Sequence, residues 1–94
     1  LTFANNPLIG IINPNPNFGS FDIEFNLIES GKYILKISDL NGKEITLDEF
    51  YINKGNDKKY NKHFEVSNIL SLGYYRVVLI TPSEIFTYPL MLIK

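Results

Sequence analysis

The sequence holds one histidine, His63, and therefore one side chain that can exchange a proton near neutral pH. A hydrolytic site would join it to a nucleophile such as Ser67 or Ser71 and to Asp57. No Gly-x-Ser-x-Gly elbow presents either serine. His63 also alternates with Phe64 and Val66, which puts it on the wet side of its segment, so a solvated surface histidine is the expectation. The run Asp39-Leu40-Asn41-Gly42-Lys43-Glu44 opens like a calcium loop, but the twelfth position from Asp39 is Phe50 where a bidentate Glu is needed. Asn13-Pro14-Asn15-Pro16-Asn17-Phe18-Gly19 offers no charged ligand and reads as a rigid turn. Lys54, Lys58, Lys59 and Lys62 cluster around the longest loop, where they could meet an anionic surface or simply be solvated. Tyr51, Tyr60 and Tyr74 could stack on sugar rings if exposed. With no cysteine either, no catalytic residue, metal or cofactor is expected.

Composition bounds the remaining choices. The chain has 94 residues, room for one domain, and is 45% hydrophobic and 14% aromatic, too apolar for a disordered segment. A net charge of −1 argues against nucleic acid, which demands clustered basic residues. No stretch approaches the roughly 18 apolar residues of a membrane helix. The opening Leu1-Thr2-Phe3-Ala4-Asn5-Asn6-Pro7 lacks the charge-then-apolar order of a signal peptide. It reads as a linker over residues 1–7, and the absence of an initiator Met suggests a piece of a longer chain.

What must position any site is a set of strands. Phe21, Ile23, Phe25 and Leu27 alternate with Asp22, Glu24 and Asn26, the period of a strand buried on one face. Tyr33, Leu35 and Ile37 repeat the pattern, as do Tyr75, Val77 and Leu79, and Phe64 with Val66 gives a shorter row. Leu8 to Ile12, Glu44 to Ile52 and Ile85 to Ile93 bring the total to about seven short antiparallel strands. Turn residues separate them, which predicts an all-β, immunoglobulin-like Greek-key sandwich over residues 8–94. Asn41-Gly42 predicts a type I′ hairpin. Leu70-Ser71-Leu72-Gly73-Tyr74-Tyr75 predicts a tyrosine corner with Tyr75 as its tyrosine. Pro89 cannot donate to a ladder, so the last strand is expected at an edge or bulged there.

Three of these segments carry a resemblance. Asn15-Pro16 in a proline-rich lead, followed by Gly19 and a strand of Phe and Ile, resembles the opening of the C-terminal sorting domains of type IX secretion. Tyr33 to Lys43 is similar to that family's Y-x-hydrophobic-x-I-x-D-x-x-G-K hairpin, with Asp39 and Gly42 at its turn. Leu70 to Val77 is similar to its L-x-x-G-x-Y-x-V signature, with Gly73 and Tyr75 at the fixed places. Lys94 supplies the basic residue that often closes such domains, and the resemblance runs from about Ile11 to Lys94.

The resemblance implies a non-catalytic sorting domain of a larger protein exported by Bacteroidetes-type bacteria. It implies a parent cargo domain upstream, such as a protease, glycosidase or adhesin, and recognition by outer-membrane secretion machinery. It also implies passage through the periplasm, then release or attachment at the cell surface, in many cases with removal of the domain. Asn15, Pro16, Gly19, Asp39, Gly42, Gly73, Tyr75 and Lys94 are the binding positions it suggests. A carbohydrate-binding or fibronectin-like spacer of a secreted glycosidase or adhesin shares the fold and stays open as an alternative.

Overall fold

The computed structural model describes residues 2–3, 10–27, 29–53 and 58–94. Its strands are β1 (Thr2–Phe3), β2 (Gly10–Asn13), β3 (Ser20–Leu27), β4 (Gly31–Asp39), β5 (Glu44–Ile52), β6 (Lys58–Glu65), β7 (Gly73–Ile80) and β8 (Glu84–Leu92). They form a sandwich of two sheets, ordered β1-β8-β7-β4-β5 and β2-β3-β6. Every pairing is antiparallel except that of β1 with β8. Thr2–Phe3 thus lies beside Glu84 and Ile85. Residue 1 and residues 4–9 lie outside the described residues, so most of the leading segment does too. Among the described residues no helix is long and apolar enough to cross a membrane.

The alternating rows meet between the sheets. Phe21, Ile23, Phe25 and Leu27 of β3 are buried against Tyr33, Leu35 and Ile37 of β4 and Tyr75, Val77 and Leu79 of β7. Aromatic rings carry the packing across the interior: Tyr88 lies against Phe25 at 5.5 Å, Phe25 against Tyr60 at 6.1 Å, Tyr60 stacks on Phe50 at 4.7 Å, and Phe50 on Tyr33 at 5.3 Å. Contacts of this kind add to the area they bury, about 0.5–1.5 kcal/mol per pair.

Two departures from simple alternation protect the sheet edges. In β5 the register shifts against Leu35/Lys36, so Leu47 and Asp48 are both half-buried and the inward parity passes from Ile45 and Leu47 to Phe50 and Ile52. That bulge aims Asp48 at β6, where its Oδ2 accepts a hydrogen bond from Tyr60 Oη at 2.8 Å and lies 3.3 Å from Lys62 Nζ. Lys62 occupies an inward position of the edge strand β6, opposite Ile23, and a charge placed there deters pairing with a further strand. The lysine-rich loop is therefore shorter than the sequence suggests. Lys58, Lys59 and Lys62 belong to β6, Lys59 pairs with Glu24 at 2.9 Å, and Lys54 lies outside the described residues. The charges of Lys59 and Lys62 are answered in place, by Glu24 and Asp48.

Pro89 follows the same economy of position. Met91 donates its N–H away from β7, to Asn15 Oδ1, and Pro89 two residues earlier faces the same outer side. The missing N–H therefore removes no bond to β7, and the edge expected at Pro89 is covered by an asparagine side chain instead of a strand.

Candidate functional site

Topology gathers the motif residues. Strands β2, β4, β6 and β8 end, and β3, β5 and β7 begin, at the same end of the sandwich. Asn15, Pro16 and Gly19 lie between β2 and β3, Asp39 and Gly42 in the β4–β5 hairpin, Gly73 and Tyr75 at the start of β7, and Lys94 just beyond β8. All eight positions occupy this one pole.

Each local structure there is closed by side chain to backbone bonds. Asn15 donates Nδ2–H to Pro89 C=O at 2.8 Å and accepts from Met91 N–H at 3.1 Å. Pro16, exposed, follows it through a cis bond, as Pro14 follows Asn13. Asn17, only 2% exposed, bridges in parallel to Leu92: its N–H donates to Met91 C=O, and its C=O accepts from Ile93 N–H. Its side-chain Oδ1 accepts the Gly19 N–H at 2.8 Å and its Nδ2 donates to Pro14 C=O at 2.9 Å. Asn17 thus holds the lead to the last strand and was not among the expected positions. Its signal was Asn-x-Gly, the spacing of an Asx-turn.

Gly19 (φ 109°) lies so close to Ser67 that an added Cβ would stand 2.8 Å from its Cβ. In the hairpin, Asp39 Oδ1 accepts the N–H of Asn41 at 2.8 Å and of Lys43 at 2.9 Å. Gly42 N–H donates to Asp39 C=O, and Gly42 alone in this turn has positive φ, 87°. The turn is therefore a three-residue type I loop closed by a glycine bulge, not the expected type I′, because the Asp39 carboxylate stabilises Leu40 and Asn41 in the right-handed region. Asp39 acts on its own turn. Tyr75 forms the expected corner, its hydroxyl donating to Ser71 C=O at 2.7 Å. Lys94 is exposed.

The surface these turns present sets exposed hydrophobes among polar turn residues. Phe18 (71% exposed), Leu40 (73%), Ile69 (64%), Leu72 (57%) and Tyr74 (61%) all project at this pole. Between the hairpin and the 66–72 turn lies a cavity of about 150 Å³, walled by Ile37, Ile45, Ile69, Leu70 and Tyr75 together with the polar Asp39, Lys43 and Ser71. Of the five, Ile69 lines this cavity, and exposed hydrophobes gathered at one pole suit protein contact. Among the described residues no cluster of His, Asp or Glu is placed to hold a metal ion.

A match to a family model identifies the family of the chain. Residues 11–91 match the model of the secretion system C-terminal sorting domain. The chain belongs to this family. No curated protein matches it. The sorting domain carries with it export through the type IX system to the cell surface or the outside, and an interaction with the secretion machinery.

The sugar-stacking tyrosines are not brought together. Tyr60 is buried in the core, while Tyr51 and Tyr74 sit at opposite ends of the larger sheet. His63 is exposed, as expected, yet it has partners on β3 that its neighbours in sequence could not disclose: Asp22 at 2.7 Å and Ser20 at 3.1 Å. Of the partners first considered, Ser67 bonds Glu65, Ser71 bonds Tyr75, and Asp57 lies outside the described residues.

Proposed function

We propose that the sorting domain is a non-catalytic signal read as a folded module by outer-membrane type IX machinery, after an upstream cargo has entered the periplasm. The reading surface is the motif pole, with Phe18, Leu40, Ile69, Leu72 and Tyr74 as its contact residues and the eight motif positions as the framework that presents them. The observation that carries this reading is the convergence of Asn15, Gly19, Asp39, Gly42, Gly73, Tyr75 and Lys94 on one end of the sandwich. Residues so far apart in sequence share a surface only when the sandwich is formed, so the signal is conformational. The leading segment, residues 1–7, would join the module, residues 8–94, to its cargo, with its Thr2–Phe3 added to the larger sheet beside β8.

Fusion of residues 1–94 behind a periplasm-targeted reporter tests this. In a type IX-competent cell the reporter is expected to leave the periplasm. Removal of Leu92–Lys94 takes away the Leu92 bridge to Asn17 and the Ile93 N–H that Asn17 C=O accepts, and should reduce export. A full-length fusion retained in the periplasm of a host exporting its own cargo would overturn the proposal.

A further inference from the structure

The outer face of the smaller sheet carries an arrangement that the sorting role does not use. Ser20 and Asp22 are two residues apart on β3 and so project from the same face. His63 on β6 stands directly opposite Asp22, and Glu65 directly opposite Ser20. This register places Asp22 Oδ1 2.7 Å from His63 Nδ1, and Ser20 Oγ 3.1 Å from His63 Nε2. In the neutral ring, a carboxylate at Nδ1 holds the single proton there and leaves Nε2 with a lone pair, the tautomer a general base requires. The three groups are thus connected in the order carboxylate, imidazole, hydroxyl, each within hydrogen-bond reach of the next.

We propose that Ser20 is a nucleophile activated by His63, able to accept one acyl group, without turnover and apart from the non-catalytic sorting role, from small uncharged esters with good leaving groups. Ser20 Oγ bonds to the carbonyl carbon as its proton passes to His63 Nε2. The bond from that carbon to the leaving oxygen then breaks, the alcohol departs with the bonding electron pair, and the proton is returned to it or to water. Asp22 orients the ring and stabilises the imidazolium while it lasts. The preference for uncharged esters follows from Asp22 and Glu65, which flank Ser20 with negative charge and repel an anionic acyl donor. The need for a good leaving group follows from exposure: on a flat, wet face the general base is the main assistance, worth about 10²–10⁴-fold.

Ser67 supplies an internal reference. It is exposed on the same side of the molecule, but its hydroxyl bonds Glu65 at 2.7 Å and no histidine. Incubation of the whole domain with p-nitrophenyl acetate, followed by peptide mass spectrometry, compares the two. The expected result is acetylation of Ser20 about 10²-fold or more faster than of Ser67. His63→Gln should bring Ser20 down to the Ser67 rate, and Asp22→Asn should slow it. Each replaced side chain is exposed, so melting temperatures should stay near that of the parent. Equal labelling of Ser20 and Ser67, or Ser20 labelling unchanged in folded His63→Gln, would overturn the proposal.

Discussion

Two tyrosine corners hold this sandwich, one at each end. Tyr75 donates its hydroxyl to Ser71 C=O at 2.7 Å, and Tyr33 donates to Glu29 C=O at 2.6 Å, both four residues back. Each follows a glycine by two positions, Gly73 at φ 140° and Gly31 at φ 129°. Each opens a central strand of the larger sheet, just after the chain has crossed from the smaller one. The device is the same, and its setting is not. Tyr33 stacks on Phe50 almost parallel, at 3°, deep in the aromatic row. Tyr75 borders the 150 Å³ cavity at the motif pole. Gly31 is pressed against Pro82, whose Cγ would be 2.6 Å from an added Cβ, whereas a Cβ on Gly73 meets nothing within 4 Å. One corner is packed for stability, and the other stands at the pole proposed as the recognition surface.

Truncation should separate them most. Tyr33→Ala should cost about 3–5 kcal/mol, the range for a fully buried aromatic ring, and Tyr75→Ala about 1–2 kcal/mol less, because its surroundings are already incomplete. Denaturant midpoints at constant m-value measure both. Equal losses would mean that the cavity beside Tyr75 does not loosen its packing.

The glycines come next. Gly73→Ala meets only the strain of a left-handed backbone, about 1–2 kcal/mol. Gly31→Ala adds a collision with Pro82 and should lose roughly a further 1–3 kcal/mol. If the double variant Gly31→Ala with Pro82→Ala is no better than Gly31→Ala alone, the collision is not what makes the first corner tight.

The smallest effect concerns the hydroxyls and pH. Tyr33→Phe orphans the Glu29 carbonyl at a cost of about 1–2 kcal/mol. Burial, then the Glu29 charge, raise the Tyr33 hydroxyl above its ordinary value; burial pushes Tyr88 up to about 12 and raises Tyr60 as well. A raised folded value means the neutral phenol is favoured by folding. This stabilisation is complete below the ordinary value near 10 and is lost as pH rises through the folded values. Stability measured from pH 9 to about pH 12 should fall, and Tyr88→Phe should flatten part of that fall. A flat profile in the parent would show these phenols to be solvated.

The comparison also marks what the sequence could disclose. The alternating rows of β3, β4 and β7 announce the core, because one buried face imposes period two. The row at Phe64 and Val66 understates β6, since inward-facing Lys62 breaks the alternation for the sake of the edge. Tyr75 is legible from Leu70 to Tyr75; Tyr33 has the same Gly-x-Tyr spacing and hides inside a row that reads equally well as core. Asn41-Gly42 discloses the turn, and its type depends on which N–H groups the Asp39 carboxylate captures. Asp22 and His63 become neighbours only through the β3–β6 register, 41 residues apart.

Export of folded variants tests the central claim most directly. Phe18→Asp with Ile69→Asp puts two charges on the motif pole, and Tyr51→Asp puts one at the opposite end, all at exposed positions. Fused to the same reporter and matched for melting temperature, the pole variant should remain in the periplasm and Tyr51→Asp should be exported like the parent. Export of the pole variant at the parent's level would contradict the claim that this end of the sandwich is what the secretion machinery reads.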